Sequence, residues 1–247
     1  MKILAIIPVR MGSSRFPGKP LARIKGKTMT QIIYQNVKLS KHIDDVYVAT
    51  CDKVIFDHVK KFGGKVVMTS LKHKRATDRT AEALKKIEIK NGSIKYDVVV
   101  MVQGDEPMVD SKMIDLSIKP FKNKNVNVVN LISAIKNRKL FDDVNCVKVV
   151  KNKKNKALYF SRLPIPYSMN KKNIKKKIGF KQVCIIPFRR NFLIKYLNMK
   201  PTTYEINESV DMMRIIENGF DVNLVETKKE TFPVDTKLDL KKVRKYF

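Results

Sequence analysis

Between Pro8 and Pro20 the chain gathers Arg10, Gly12, Ser13, Ser14, Arg15, Gly18 and Lys19 into thirteen positions. Glycines let backbone amides approach phosphate oxygens, arginines can grip those oxygens bidentately, and a lysine adds a compact positive charge. A triphosphate needs all three. The stretch is not a P-loop, because Gly12 and Gly18 enclose five residues rather than four and Lys19 is followed by Pro20 rather than by a hydroxyl residue. On composition alone a flexible basic turn explains it equally well, so a second feature must decide.

That feature is acidic. Gln103-Gly104-Asp105-Glu106-Pro107 follows Val98–Val102, an unbroken apolar run with strong strand propensity. A strand there delivers Asp105 to the carboxyl edge of a sheet, and Mg²⁺ usually takes one or two protein carboxylates and fills its other positions with phosphate and water. Val234-Asp235-Thr236 offers the second carboxylate. Taken alone, Asp105 reads as a turn or helix-capping residue. Opposite a basic loop it reads as the metal half of a triphosphate site, since cationic side chains and a metal together neutralise charge that neither handles as well alone.

The elements that must hold these residues follow from periodicity. Ile3–Pro8, Val46–Thr50, Lys65–Met68, Val98–Val102, Val126–Ile132, Cys146–Val150, Val183–Phe188 and Asp221–Val225 read as strands. Thr28–Leu39, Lys53–Phe62, Thr80–Lys90, Ser111–Lys119, Arg190–Asn198 and Glu208–Asn218 read as helices, with a further helix at the end of the chain. The alternation predicts an α/β fold, a mostly parallel sheet with helices on both faces. Ligands of such sheets sit beyond the carboxyl ends of the strands, where both polar motifs lie. No repeat or linker divides residues 1–247, so a single domain is expected.

Composition narrows the class. Hydrophobic residues make up 43% and charged residues 30%, and no apolar run reaches the roughly 18 residues of a membrane span. Cys51, Cys146 and Cys184 form neither a disulfide framework nor a zinc motif, which fits a reducing cytoplasm. The net charge of +29 would attract any polyanion, but the excess is scattered lysine, thickest at 151–156 and 171–177, without interleaved aromatics to stack on bases. A solvated surface accounts for it, and no specific nucleic-acid partner is expected. His42, His58 and His73 read as surface residues, Cys51 and Cys146 as small core residues.

In this order the motifs resemble the 3-deoxy-manno-octulosonate (Kdo) cytidylyltransferases nearly end to end. The resemblance runs through Ile6-Ile7-Pro8-Val9-Arg10, Ser14 to Leu21, Thr77-Asp78-Arg79, Val102 to Pro107, Tyr159-Phe160-Ser161-Arg162 and Val234-Asp235-Thr236. It implies a Rossmann-like fold of the nucleotide-diphospho-sugar transferase kind and transfer of CMP from CTP to a 3-deoxy-2-keto sugar acid, for lipopolysaccharide or capsule synthesis. It further implies Arg10, Arg15 and Lys19 as triphosphate ligands, Thr77, Asp78 and Arg79 on the nucleotide side, Asp105 and Asp235 as Mg²⁺ ligands, and Gln103, Arg162 and Glu208 near the sugar. A homodimer in contact through residues 159–198 is also implied.

Two stretches depart from the family pattern. Where the family has His-x-Ser-Gly-Thr-Asp/Glu-Arg, this chain has Arg75-Ala76 in place of the small pair. Where the family has His-Leu-Gly-Ile-Tyr, it has Gln182-Val183-Cys184-Ile185-Ile186. These changes keep open a different acid, an 8-amino Kdo analogue or a nonulosonate. A basic nucleic-acid binder on a degenerate transferase fold is the other alternative.

Overall fold

The computed structural model describes residues 1–13, 15–169 and 178–247, so Ser14 and the whole of the second lysine-rich stretch lie outside the described residues. In chain order come β1 (Ile3–Val9), a two-stranded ribbon of β2 (Arg23–Ile24) and β3 (Lys27–Thr28), α1 (Met29–Lys38), β4 (Asp45–Thr50), α2 (Lys53–Lys61), β5 (Val66–Met68) and α3 (Ala76–Lys90). They are followed by β6 (Val98–Val102), α4 (Ser111–Ile118), β7 (Val129–Ile135), α5 (Arg138–Asp142), β8 (Lys148–Lys151), β9 (Ala157–Ser161), β10 (Gly179–Val183) and β11 (Ile185–Arg189). Helices α6 (Arg190–Leu197), α7 (Thr203–Glu208) and α8 (Asp211–Glu217), strand β12 (Asn223–Thr227) and helix α9 (Lys237–Val243) complete the order.

Among the described residues the first sheet runs β11-β6-β1-β4-β5, parallel except for its edge strand β11. Its central strands β1, β4 and β6 are buried on both faces, as parallel strands between helices must be. Along β1, Leu4 and Ile6 pack on one side with Leu84 and Ile87 of α3, while Ile3, Ala5 and Ile7 pack on the other with Ile33 of α1 and Ile55 of α2. This two-residue alternation is the α/β architecture expected from the apolar runs.

The second half differs from a simple extension of that sheet. A second sheet runs β12-β7-β10-β8-β9, and only β12 and β7 pair in parallel within it. The apolar stretch expected as one strand from Val183 to Phe188 is the end of β10 and most of β11, which belong to different sheets. The chain changes sheet at Cys184, whose carbonyl accepts from the Gln103 amide at 3.0 Å. The helix expected from Glu208 to Asn218 is α8, which starts only at Asp211; Glu208 ends a separate, unexpected helix α7, and Ser209 divides the two with a left-handed backbone of φ +53°. Helix α3 starts at Ala76, ahead of the expected Thr80, because Asp211 accepts hydrogen bonds from both the amide and the hydroxyl of Thr77 in its first turn.

Candidate active site at the sheet edge

The basic loop leaves β1 and folds back on itself, with the amides of Ser13 and Gly18 both donating to the Met11 carbonyl at 2.9 and 3.2 Å. Gly18 has φ +76°, a conformation that glycine adopts without strain, and it starts the short 3₁₀ turn that carries Lys19. Beside the loop, β6 ends in Gln103-Gly104-Asp105. A Cβ on Gly104 would stand 2.2 Å from Val9 Cγ1, so only glycine lets the acidic turn lie this close to β1. The Val234 amide donates to the Asp105 carbonyl at 2.8 Å, which brings the third segment, Val234-Asp235-Thr236, alongside.

The basic and acidic groups meet there. Lys19 Nζ is 3.6 Å from Asp105 Oδ2 and 3.2 Å from Asp235 Oδ1, and Arg15 reaches the same Asp235 oxygen at 3.0 Å. The other Asp105 oxygen, Oδ1, is buried and has no hydrogen-bond partner among the described residues. Burial raises the Asp105 pKa; Lys19 opposes the rise and Asp235 adds to it. Glu106, also buried, is pushed up to about 7 by desolvation and by the neighbouring Asp105. Two carboxylates side by side, one with a spare oxygen and both leaning on a lysine, suit a hard divalent cation that accepts few protein ligands. Among the described residues no cluster of three or more metal-ligating side chains competes with them.

Two adjoining clefts open on this point. The first, of about 400 Å³, is lined by Arg10, Gly12, Ser13, Arg15 and Lys19 on one wall and by the segment 73–76 with Arg79 on the other. The second, of about 460 Å³, extends past Arg162, Lys181, Gln182, Asp211 and Phe232. Arg15, Gln103, Asp105, Ser209 and Asp235 line both. The carboxylate pair thus stands where a ligand in one cleft would touch a ligand in the other.

Of the residues singled out in the sequence, the first cleft brings together Arg10, Gly12, Ser13, Arg15, Lys19 and Arg79. Arg10 is exposed and makes no hydrogen bond or ion pair among the described residues. Arg79 is buried, tied through Nη1 to the Thr69 hydroxyl and the Ser70 carbonyl, with Nη2 unpartnered among the described residues. Thr77 and Asp78 face away from both clefts: Thr77 is fully buried against Asp211, and Asp78 pairs with Arg214 at 3.4 Å.

On the second side, Gln103 and Arg162 line the cleft and Glu208 does not. Glu208 instead accepts from the Ser161 hydroxyl and the Arg162 amide at 2.9 and 2.8 Å, anchoring the end of β9. The Arg162 guanidinium is taken up by the carbonyls of Glu208, Val144 and Ser209.

Several groups lining or bracing these clefts were not singled out. Lys181, 5% exposed, donates to the Thr231 carbonyl and lies 5.4 Å from the centre of the Phe232 ring. Its place was readable from the alternation of Lys181 with Val183 along β10, had the strand been started at Gly179. Lys148 is wholly buried and donates to the carbonyls of Asp143, Cys146 and Arg162, knotting one wall of the second cleft. His73, read as a surface residue, lines the first cleft with its ring held by Glu82. Glu82 also accepts from Lys86 and the Ser70 amide. Burial would raise its pKa, but these hydrogen bonds outweigh burial and hold the carboxyl at about 2.

Comparison with known proteins agrees with this geometry. A family model described as cytidylyltransferase matches residues 4–230. The 3-deoxy-manno-octulosonate cytidylyltransferase of Geobacter metallireducens is 41% identical over 98% of this chain and 96% of its own length. The protein of the same name from Fusobacterium nucleatum is 38% identical over 100% and 97%. Among solved structures, a CMP:2-keto-3-deoxy-manno-octonic acid synthetase complexed with CTP superimposes with a TM-score of 0.88 at 35% identity, covering 100% of this chain and 98% of the other. A putative glucose-1-phosphate thymidylyltransferase from Bacillus anthracis shares the fold alone, with a TM-score of 0.69 at 14% identity, covering 99% and 94%.

Proposed function

The chain belongs to the cytidylyltransferase family, and from that premise we propose that it transfers CMP from CTP to 3-deoxy-manno-octulosonate, releasing pyrophosphate and supplying activated sugar acid for lipopolysaccharide or capsule synthesis. The observation that carries the proposal is the meeting of two clefts at Asp105 and Asp235, with a phosphate-type loop along one of them. Near-complete coverage of relatives bearing that name supports the choice of acid.

In this reading CTP lies in the first cleft with its phosphates along the basic loop, and the acid lies in the second. The anomeric hydroxyl attacks the α-phosphorus; the new oxygen–phosphorus bond forms as the bond to the bridging oxygen breaks, and pyrophosphate departs. Arg10, Arg15 and Lys19, with the amide of Gly12 and the hydroxyl of Ser13, stabilise charge on the departing group. Bound Mg²⁺, held by Asp105 and Asp235, would neutralise phosphate charge and ease ionisation of the incoming hydroxyl. With its two carboxylates engaged by a cation, Lys19 would be free to turn to the phosphates. The acid's own carboxylate calls for a cation, and Lys181 is the buried one in the second cleft, Arg162 being occupied with backbone carbonyls.

The protein acts as a homodimer through the 159–198 region. Supporting this, β9 is the edge strand of its sheet, and Leu158, Leu163, Tyr167 and Met169 are exposed beside it, along with Tyr204 and Ile206 on α7. Light scattering on the purified protein tests the dimer. A cytoplasmic setting agrees with three free thiols, and among the described residues no helix is long and apolar enough to cross a membrane.

The central test incubates purified protein with CTP, Mg²⁺ and a panel comprising Kdo, an 8-amino Kdo analogue and a nonulosonate, with pyrophosphate as readout. Release with Kdo and its loss in EDTA are expected. No release with Kdo, or release only with another acid, overturns the assignment of substrate.

A further inference from the structure

Arg75 stands where this sequence departs from its family's pattern, and its guanidinium is held by a turn whose Ser209 lines both clefts. Arg75 caps α3 on the wall of the nucleotide cleft. From there Nη1 donates to Ser209 Oγ at 2.7 Å and Nη2 to the Glu205 carbonyl at 3.2 Å. Nε lies 3.5 Å from the Glu205 carboxylate and 3.8 Å from that of Asp211. All of these partners belong to the α7–α8 segment, where Ser209 and Asp211 face the second cleft.

That segment needs holding. Ser209 breaks the helix in the left-handed region, which a residue with a Cβ occupies only when its surroundings compel it. Arg162 grips the same turn from the other side, through the carbonyls of Glu208 at 2.6 Å and Ser209 at 3.4 Å. The turn is therefore clamped between two arginines, one from each cleft.

We infer that Arg75 is a positioning residue for the sugar acid and not a ligand of the triphosphate, acting through the Ser209–Asp211 turn although it stands in the nucleotide cleft. The inference rests on the functional reading above. Arg75 could reach phosphate only by giving up its hydrogen bonds to Ser209 and to the Glu205 carbonyl together with its approach to Asp211, the Glu205 carboxylate itself being gripped by Arg214 at 2.6 and 2.7 Å. Losing two hydrogen bonds from a charged donor at once is unfavourable. Arg10, exposed and unpaired among the described residues, has no such obstacle.

Steady-state kinetics of Arg75→Ala, Arg75→Lys and Ser209→Ala test this. Arg75→Ala should raise KM for the sugar acid about tenfold, the size of one charge-assisted hydrogen bond, while KM for CTP stays within about twofold. Arg75→Lys keeps the charge but loses the fork, so it should recover part of the loss, and Ser209→Ala should shift the same KM in the same direction. A rise in KM for CTP with the acid's KM unmoved overturns the inference. So does a fall in kcat with both KM values unchanged, the mark of a smaller folded fraction. An active parent with an unmoved acid KM sinks this inference alone, whereas a parent that releases no pyrophosphate sinks the functional reading with it.

Discussion

Replacing Asp105 by asparagine should abolish turnover while leaving the unliganded protein at least as stable as the parent. Among the described residues Asp105 Oδ1 is buried without a partner, and Oδ2 lies 3.6 Å from Lys19 Nζ. Burial raises the pKa, Lys19 opposes that, and Asp235 adds to it, leaving a net rise. A carboxyl whose folded pKa lies above its unfolded value destabilises the fold once it is ionised, and that penalty is relieved as pH falls through the folded pKa. At neutral pH the penalty is present.

A buried polar group left unsatisfied costs about 1–3 kcal/mol, and asparagine, which keeps an amide to satisfy, should recover about 1 kcal/mol of it. In a chain of this size that is a rise of about 2–4 °C in Tm. Loss of one preorganised electrostatic group costs about 10²–10³ in rate, so pyrophosphate release should fall at least that far. Thermal unfolding in EDTA at pH 7.5, repeated with Mg²⁺ and CTP, checks both halves. The parent should gain stability from the ligands and Asp105→Asn should gain little. An unliganded variant melting well below the parent would show that the carboxylate serves the fold, and activity within tenfold of the parent would refute its place at the reacting centre.

Lys19→Met removes the counter-charge that Asp105 and Asp235 share, so it should destabilise the unliganded protein by about 1–3 kcal/mol, with millimolar Mg²⁺ restoring part of the loss in a thermal melt. Gly104→Ala places a Cβ 2.2 Å from Val9 Cγ1; stability should fall by about 1–3 kcal/mol and kcat with it, as the acidic turn is forced away from the basic loop. Glu82→Gln should cost at most about 3 kcal/mol at neutral pH, because the carboxyl is held at about 2 against an ordinary 4.5. The folded pKa is depressed, so this contribution is complete above about pH 4.5 and disappears as pH falls through about 2; urea unfolding at pH 7 and pH 3 should show the gap between variant and parent narrowing.

Much of the first sheet was legible because its central strands are buried on both faces and must be apolar throughout. Val98–Val102 appears with the bounds its valines suggested, and β1 and β4 extend theirs by one residue. The second sheet was less legible. Its mixed pairing draws on β7, β8 and β10, whose polar or charged positions blur the apolar signal, and β7 begins three residues after its expected start. Neither the sheet change at Cys184 nor the break at Ser209 is marked by proline or glycine, so local propensity had nothing to report.

The candidate site divides along the same line. The amino-acid sequence by itself determined the chemical inventory: a loop of arginines, glycines and lysine after one strand, Asp105 after another, and Asp235 far along the chain, each legible because residue type limits what a side chain can bind. Only the tertiary structure decided which of these groups meet. It put Lys19 between two carboxylates remote in sequence, turned Thr77 and Asp78 toward Asp211 and Arg214, spent Arg162 on backbone carbonyls, and buried Lys181 in the second cleft. The reason is that chemistry belongs to single residues, whereas burial, partnership and direction arise from contacts between segments that no local pattern encodes.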